Sequence, residues 1–402
     1  MPNLLGSNLR DVRMRNRALI LKLVATKRMI SRADLSRRMG LTKTTAGIVV
    51  SDLIDEGIIC ETQIDSAEIT MGRKPIYLDI SPNSPCVCGM LIKRGLLSVI
   101  FADYKGTILV RRDHEYSRDI SSAKLVDTLL ELYDKLKSTW ERKIIAVGIS
   151  AIGPVDIVKQ QLANPPNFHG ISNLPLPKII SDETGLPAFI IHDAGAGALA
   201  EKIYGKAEDY QNFIYIHMIE GIGAGYILNN KVYNGVSGKS GEIGHTSINF
   251  SGPLCYCGNN GCLEMYANVE TLNAKIRHLR KIYPAHTVLA DKANYSWREI
   301  IDAADMSDFL AISALDEFCG YVAQALANAV NLFDIDRIII GYDSSPNDAV
   351  IANILSEMLN SNERSANYRK ITIEKSTFCG DAPLIGSVAL ITDRLFNGDW
   401  EF

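Results

Sequence analysis

The chain has 402 residues, 47% of them hydrophobic and 22% charged, with a formal net charge of −4. That apolar share is enough for sizeable cores and excludes a mainly disordered protein, while the length suggests two or three domains. Apolar runs such as Asp336 to Gly341 fall far short of the roughly 20 residues that span a bilayer, and no charged-then-apolar leader is seen, so a cytoplasmic protein is expected.

Charge is unevenly spread: residues 1–80 carry 13 Lys/Arg against 9 Asp/Glu, and residues 81–402 carry 29 against 37. Before Glu61 the balance is 11 against 5, which suits a polyanion such as DNA. From Arg13 to Thr26 the apolar Ala18, Leu19, Leu23 and Val24 recur at helical spacing with arginines on the other side, predicting a first helix. Ser31 and Asp34 have capping-box spacing for a short second helix through Leu35 and Met39, ended by Gly40. Thr42 caps a third, with the stripe Ala46, Val49, Val50, Leu53 and Ile54 and a close at Gly57.

Ile58 to Ile64 and Ile76 to Ile80 then read as strands, joined through Gly72, Arg73, Lys74 and Pro75. Three helices, a tight turn and a basic strand connection predict a winged helix-turn-helix over residues 1–80. In such a domain the third helix enters the major groove and the wing reaches phosphates or the minor groove. Lys43, Thr44 and Thr45 are the expected DNA contacts on the helix, with Arg73 and Lys74 on the wing. Gly47 and Ile48 hold positions where such helices often carry polar readers, so few base contacts are expected there. A small basic domain for protein contacts is the alternative.

Eight cysteines without a signal peptide argue for reduced thiols and a metal over a disulfide framework. GEIGH, from Gly241 to His245, is followed by Cys255, Cys257 and Cys262. One imidazole and three thiolates form the Cys₃His set of a closed, structural zinc site, expected once per chain. Gly258 and Gly261 permit the tight knuckle this spacing demands. Buried free cysteines are the alternative.

GEIGH followed by CYCGNNGCLE resembles the signature of the ROK family, which contains bacterial sugar kinases and sugar-responsive repressors. The resemblance covers most of residues 86–402, with GPVD at Gly153, HDAGAGALAE from His192, GIGAG from Gly221 and GDAPLIGSVAL from Gly380. The added winged helix is similar to the repressor branch. The resemblance implies an α/β, actin-like (ribonuclease H-like) two-lobed sugar-kinase fold with a zinc knuckle and the ligand between lobes. The first lobe would be residues 81–197, completed by 385–402, and the second residues 198–384 with the zinc-binding loop 241–264. It also implies sugar contacts at Asn167, His192, Asp193, Glu242, His245 and Glu264, groups able to pair hydrogen bonds with vicinal hydroxyls. His245 would serve twice, with one ring nitrogen on zinc and the other on the sugar.

Family kinases open the first lobe with a strand ending in Asp-x-Gly-Gly-Thr. Here Leu91 stands in the aspartate's place, and Lys93, Arg94 and Gly95 replace Gly-Gly-Thr. Leucine cannot organise magnesium, and long cations remove the close backbone approach that glycines permit. Glu220 stands where the second loop would offer threonine, and Gly341-Tyr342-Asp343 breaks a later Gly-Gly. No enzyme activity is expected, and Asp193 would act as a hydrogen-bond acceptor.

The expected function is repression of sugar-metabolism genes by a homodimer or homotetramer on a pseudo-palindromic operator, released by a sugar effector. The opposite sign stays open. An ATP-dependent sugar kinase and a repressor controlled by protein docking are the alternatives. His192 and Ile171 depart from the family's usual asparagine and tryptophan, which leaves the sugar's identity open. Phe318 to Phe333, with Tyr321, Ala325, Leu326, Ala329 and Val330 at helical spacing, would pack within the lobe or across subunits.

Overall fold

The computed structural model describes residues 8–63, 76–116, 120–165, 168, 170–219, 221–285, 287–345, 348–361 and 370–399. It opens with α1 (Leu9–Thr26), α2 (Arg32–Met39) and α3 (Lys43–Asp55). Each is started by a side chain that accepts from the backbone three residues on: Asn8, Ser31 and Thr42. Helix α1 begins four residues before the apolar spacing predicts, because Asn8 and Asp11 form a reciprocal capping box ahead of the first core residue. Its buried residues are Ala18, Ile20, Leu21, Val24 and Ala25, whereas Leu19 is exposed, which corrects the expected stripe. The correction has a tertiary cause. One side of α1 meets α3, and another meets the last helix of the chain.

Strands β1 (Ile59–Thr62) and β2 (Tyr77–Ile80) pair antiparallel, with Ile59 opposite Ile80, and Ile30 bridges to Leu78. The connection carrying Gly72, Arg73, Lys74 and Pro75 lies outside the described residues.

The remainder is built on two five-stranded sheets of the same topology among the described residues. In the first, β3 (Cys86–Lys93), β4 (Leu96–Ala102) and β5 (Ile108–Glu115) form an antiparallel meander, and β6 (Ile144–Ala151) and β9 (Ala188–His192) extend it in parallel on the β3 side. In the second, β10 (Phe213–Met218), β11 (Ile222–Leu228) and β12 (Lys231–Val232) repeat the meander, and β13 (Arg337–Gly341) and β14 (Thr372–Lys375) repeat the parallel pair. The short β7 (Val155–Asp156) and β8 (Gln161–Leu162) form a separate hairpin. Strands β3, β6, β10 and β13 are apolar runs without strict alternation, as expected where both faces are covered.

Helices α4 (Ser122–Lys137) and α5 (Leu176–Thr184) cross over in the first half. Helices α7 (Val269–Ile282), α8 (Trp297–Asp305), α9 (Phe309–Phe333) and α10 (Val350–Ser361) belong to the second. Two helices join the halves: α6 (Asp193–Ile203), directly after β9, packs on β10 and β11, and α11 (Ala382–Asn397) packs on β3 and β6. They also pack on each other. The approach is close enough that a side-chain carbon at Gly386 would overlap the backbone of Ala196, so glycine at 386 is a steric requirement.

Helix α9 is long and apolar enough by length and composition to cross a membrane, in contrast to the sequence expectation that no segment reaches that length. Within the fold it is a core helix: Ala325, Leu326, Ala329 and Val330 are buried, Tyr321 is partly buried, and α7, α8 and α10 pack around it. Packing of this segment is therefore internal to the second half.

A single apolar cluster runs from the N-terminal unit into the first half of the body. Ile20, Leu21 and Val24 of α1 and Leu53 of α3 share it with Leu384, Val388, Leu395 and Phe396 of α11.

Candidate functional site

Between the two sheets lies a cavity of about 290 Å³ at the carboxyl ends of β3, β6, β9 and β10. In open α/β sheets ligands bind at those strand ends, where the chain leaves the sheet and its backbone and side chains turn toward solvent. His192 is the last residue of β9 and Asp193 the first of α6; Glu242 precedes the turn Ile243–His245, and Glu264 follows the last cysteine of the knuckle. All five expected sugar contacts within the described residues, His192, Asp193, Glu242, His245 and Glu264, line this one cavity. Asn167 lies outside the described residues, as does Glu220.

The Asp193 carboxylate accepts from the Ala194 amide at 2.7 Å, and one of its oxygens lies 3.1 Å from His192 Nε2. Gly153 leaves room for the His192 ring and the Glu242 carboxylate, both of which a side-chain carbon at that position would crowd. Ile171, where the family often carries tryptophan, is buried in the apolar cluster under β6 and does not line the cavity.

His217 on β10 lines the cavity without a sequence signal of its own, and burial lowers its pKa to about 4, so it is a neutral imidazole at ordinary pH. Asn164, Lys239 and Tyr256 are further lining residues that sequence reasoning did not select. Tyr256 was findable, because it sits between two expected metal ligands.

The kinase-loop positions divide sharply. Leu91 is fully buried among Leu384, Val388 and Ile100, with its side chain in the core and no part in the cavity. Lys93 and Arg94 line the cavity. Lys93 Nζ donates to the Gly380 carbonyl at 3.3 Å, and burial lowers its pKa while Asp381, Asp193 and Asp343 oppose the shift. The turn after β3 thus fills with long side chains the space that glycines would leave open.

His245, Cys255, Cys257 and Cys262 converge, with all four ligand atoms within 4.8 Å of one another. The Cys255 sulfur lies 3.7 Å from His245 Nδ1, and the Cys257 and Cys262 sulfurs lie 3.6 Å apart. With zinc–sulfur and zinc–nitrogen bonds of about 2.3 and 2.1 Å, the edges of a tetrahedral site are ~3.5 to 3.8 Å, so the donor set fits that ion. Gly258 and Gly261 adopt φ of +90° and +63°, the left-handed conformations that the knuckle requires. Burial and then hydrogen bonds to Cys257 and Cys255 push Cys262 up to about 12, while Cys257 is lowered, against burial, by the Asn259 amide and its neighbouring thiols. His245 Nδ1 faces the sulfurs, and Nε2 faces the cavity side, 3.4 Å from the Tyr256 hydroxyl.

On the N-terminal unit, Lys43, Thr44 and Thr45 occupy the first turn of α3 and are exposed, as is Ile48. Arg13 and Arg17 of α1 reach across the surface toward α3: Arg13 pairs with Asp52 at 2.7 Å and Arg17 with Glu56. Part of the basic surplus is therefore spent on holding α1 to α3. Arg73 and Lys74 lie outside the described residues.

Comparison with known proteins extends this picture. The chain is 29% identical over 385 residues to the xylose repressor of Bacillus spizizenii, covering 95% of this chain and 96% of that one. A crystal structure of a ROK family transcriptional regulator, a homologue of the Escherichia coli Mlc protein, superposes with a TM-score of 0.79 at 27% identity, over 96% of this chain and 97% of that one. A ROK family glucokinase from Streptomyces griseus, in complex with glucose and AMPPNP, shares the fold with a TM-score of 0.68 at 24% identity, over 76% of this chain and 98% of that one. The sequence signature of the ROK family matches residues 94–394, three quarters of the chain, and the chain belongs to the ROK family.

Proposed function

We propose that this chain is a sequence-specific DNA-binding transcriptional repressor of sugar-metabolism genes, whose operator affinity is set by a sugar held in the cleft. The observation that carries this reading is one of extent. Similarity to a repressor and to a ROK regulator runs through 95% and 96% of the chain, whereas the glucokinase is almost wholly covered by 76% of it. What the kinase lacks fits the basic N-terminal unit.

In this reading residues 1–80 are a winged helix-turn-helix. Lys43, Thr44 and Thr45 meet the major groove, and Arg73 and Lys74 meet the backbone or minor groove. The lobes are residues 81–197 with 385–402, and residues 198–384. His192, Asp193, Glu242, His245 and Glu264, joined by Asn167, hold the sugar's hydroxyls, and xylose is the first sugar to test. A homodimer or homotetramer in the cytoplasm sets two recognition helices on a pseudo-palindromic operator.

Zinc, held by His245, Cys255, Cys257 and Cys262, would supply a structural cross-link and a charge that favours thiolates. The residues themselves do the rest: Nδ1 of His245 faces the sulfurs, which leaves Nε2 as the hydrogen-bond donor toward the cleft. Phosphoryl transfer is absent from the proposal. Leu91 is sunk in the core, and Lys93 and Arg94 fill the turn where phosphates would lie.

Sugar regulates by binding the DNA-incompetent arrangement more tightly, so operator and sugar weaken each other reciprocally, typically by about 1 to 3 kcal/mol. The test is operator binding measured against a panel of neutral sugars. At least one sugar is expected to lower operator affinity about tenfold or more. Unchanged operator affinity and unchanged melting temperature across the panel would favour control by a docked protein, and sugar-dependent ADP release would favour the kinase.

A further inference from the structure

Tyr256 sits between Cys255 and Cys257 at the edge of the cavity, and the residue is 44% exposed. Its hydroxyl donates to Glu264 Oε1 at 3.0 Å and lies 3.4 Å from His245 Nε2. The two rings meet edge to face, with centroids 5.1 Å apart and planes at 89°. The same phenol oxygen therefore engages a carboxylate acceptor and an imidazole nitrogen, both of which face the cleft.

A hydroxyl is at once a donor and an acceptor, and a phenol presents that pair of functions in the same way as a sugar hydroxyl. Glu264 can only accept when ionised. Were zinc held at Nδ1, which faces the sulfurs, Nε2 of His245 would carry the proton and donate. These are the complementary partners of one alcohol. The tyrosine hydroxyl engages both.

We propose that Tyr256 is a built-in stand-in for one ligand hydroxyl: its phenol holds the Glu264 and His245 corner of the cleft, and a neutral polyol or sugar must displace it to bind there. The inference rests on the sugar-binding reading above and assigns to that site a residue that sets affinity by competition. The partly exposed ring has solvent to swing into.

The sign of one substitution separates competition from contact. Tyr256→Phe keeps the ring and removes the hydroxyl, so a competitor's loss tightens ligand binding, and a contact's loss weakens it. The experiment is calorimetric titration of the full-length wild-type protein and Tyr256→Phe with D-xylose, D-glucose and N-acetylglucosamine, with metal content and melting temperature as controls on the knuckle. Tyr256→Phe is expected to bind roughly three- to tenfold tighter than wild type, or to bind a sugar that wild type does not, the size of one net hydrogen bond. In the Glu264→Gln background that gain is expected to shrink, because the phenol and the sugar hydroxyl then no longer compete for a charge-assisted bond to the carboxylate. Equal or weaker binding by Tyr256→Phe while wild type binds overturns this inference and leaves the sugar reading intact. Absence of binding by both proteins across the panel overturns the two together.

Discussion

Lys27, which closes helix α1, holds its ammonium 2.6 Å from the Glu208 carboxylate in the connection between α6 and β10. A second tie, Lys105 to Asp79 at 2.9 Å, joins the turn after β4 to β2. Half-exposed pairs of this kind contribute little energy, of the order of 0 to 1 kcal/mol each. Their value here is positional, since each ties the N-terminal unit to the body of the protein.

That contact predicts shared unfolding. Phe396 is buried in the cluster that also holds Ile20, Leu21 and Val24. Phe396→Ala should destabilise the protein by about 3 to 5 kcal/mol. Differential scanning calorimetry should show the N-terminal unit and the first sheet melting in one transition, both in wild type and in the variant. An early separate transition for the N-terminal unit would contradict the continuous core.

Metal binding is predicted from the four converging ligands. Freshly purified, reduced protein should contain about one equivalent of zinc, read by plasma mass spectrometry. Cys257→Ser should lose most of it and loosen the loop that carries Tyr256 and Glu264. The readouts are a lower melting temperature and faster proteolysis within residues 241–264. Stoichiometry well under one in the wild-type protein would remove zinc from the account.

Operator binding should follow the exposed first turn of α3. Lys43→Gln is expected to weaken binding to all sequences by a similar factor and to reduce the slope of log affinity against log salt by about 1. Thr44→Ala should instead alter preference among operator variants. Fluorescence anisotropy at several salt concentrations separates the two behaviours.

His217 gives a pH prediction with a definite sign. Its folded pKa of about 4 lies below the ordinary 6.5, so between those values the unfolded chain binds more protons than the folded one. Stability attributable to this histidine is complete above pH 6.5 and declines as pH falls toward 4. The difference between wild type and His217→Gln in denaturant-derived stability should therefore narrow or reverse by roughly 2 to 3 kcal/mol from pH 7.5 to 4.5. An unchanged difference would mean that the ring is hydrated in the folded state.

Legibility of the sequence depended on whether a residue's role was local. Caps such as Ser31 with Asp34, and the spacing of Cys255, Cys257 and Cys262, carry their reason within a few residues, and the structure forms both the caps and the cluster. The expected sugar-contact set came from family motifs, and the fold brings five of its six members to one cavity, with Asn167 outside the described residues. What could not be read was set by distant partners. Leu19 is exposed and Ile20 buried because α11, more than 350 residues later in the chain, covers α1 on a second side. His217 looks like any strand residue until β10 places it at the cleft. Tyr256 was hidden by its neighbours, since the pattern of cysteines drew the reading past the residue between them.

Helix α11 begins beside the cleft, where Asp381 accepts from Arg111 at 2.8 Å, and ends where Leu395 and Phe396 lie against α1. Its 16 residues form a rod of about 24 Å. One unbroken helix thus connects the rim of the cleft to the core of the N-terminal unit without passing through any loop.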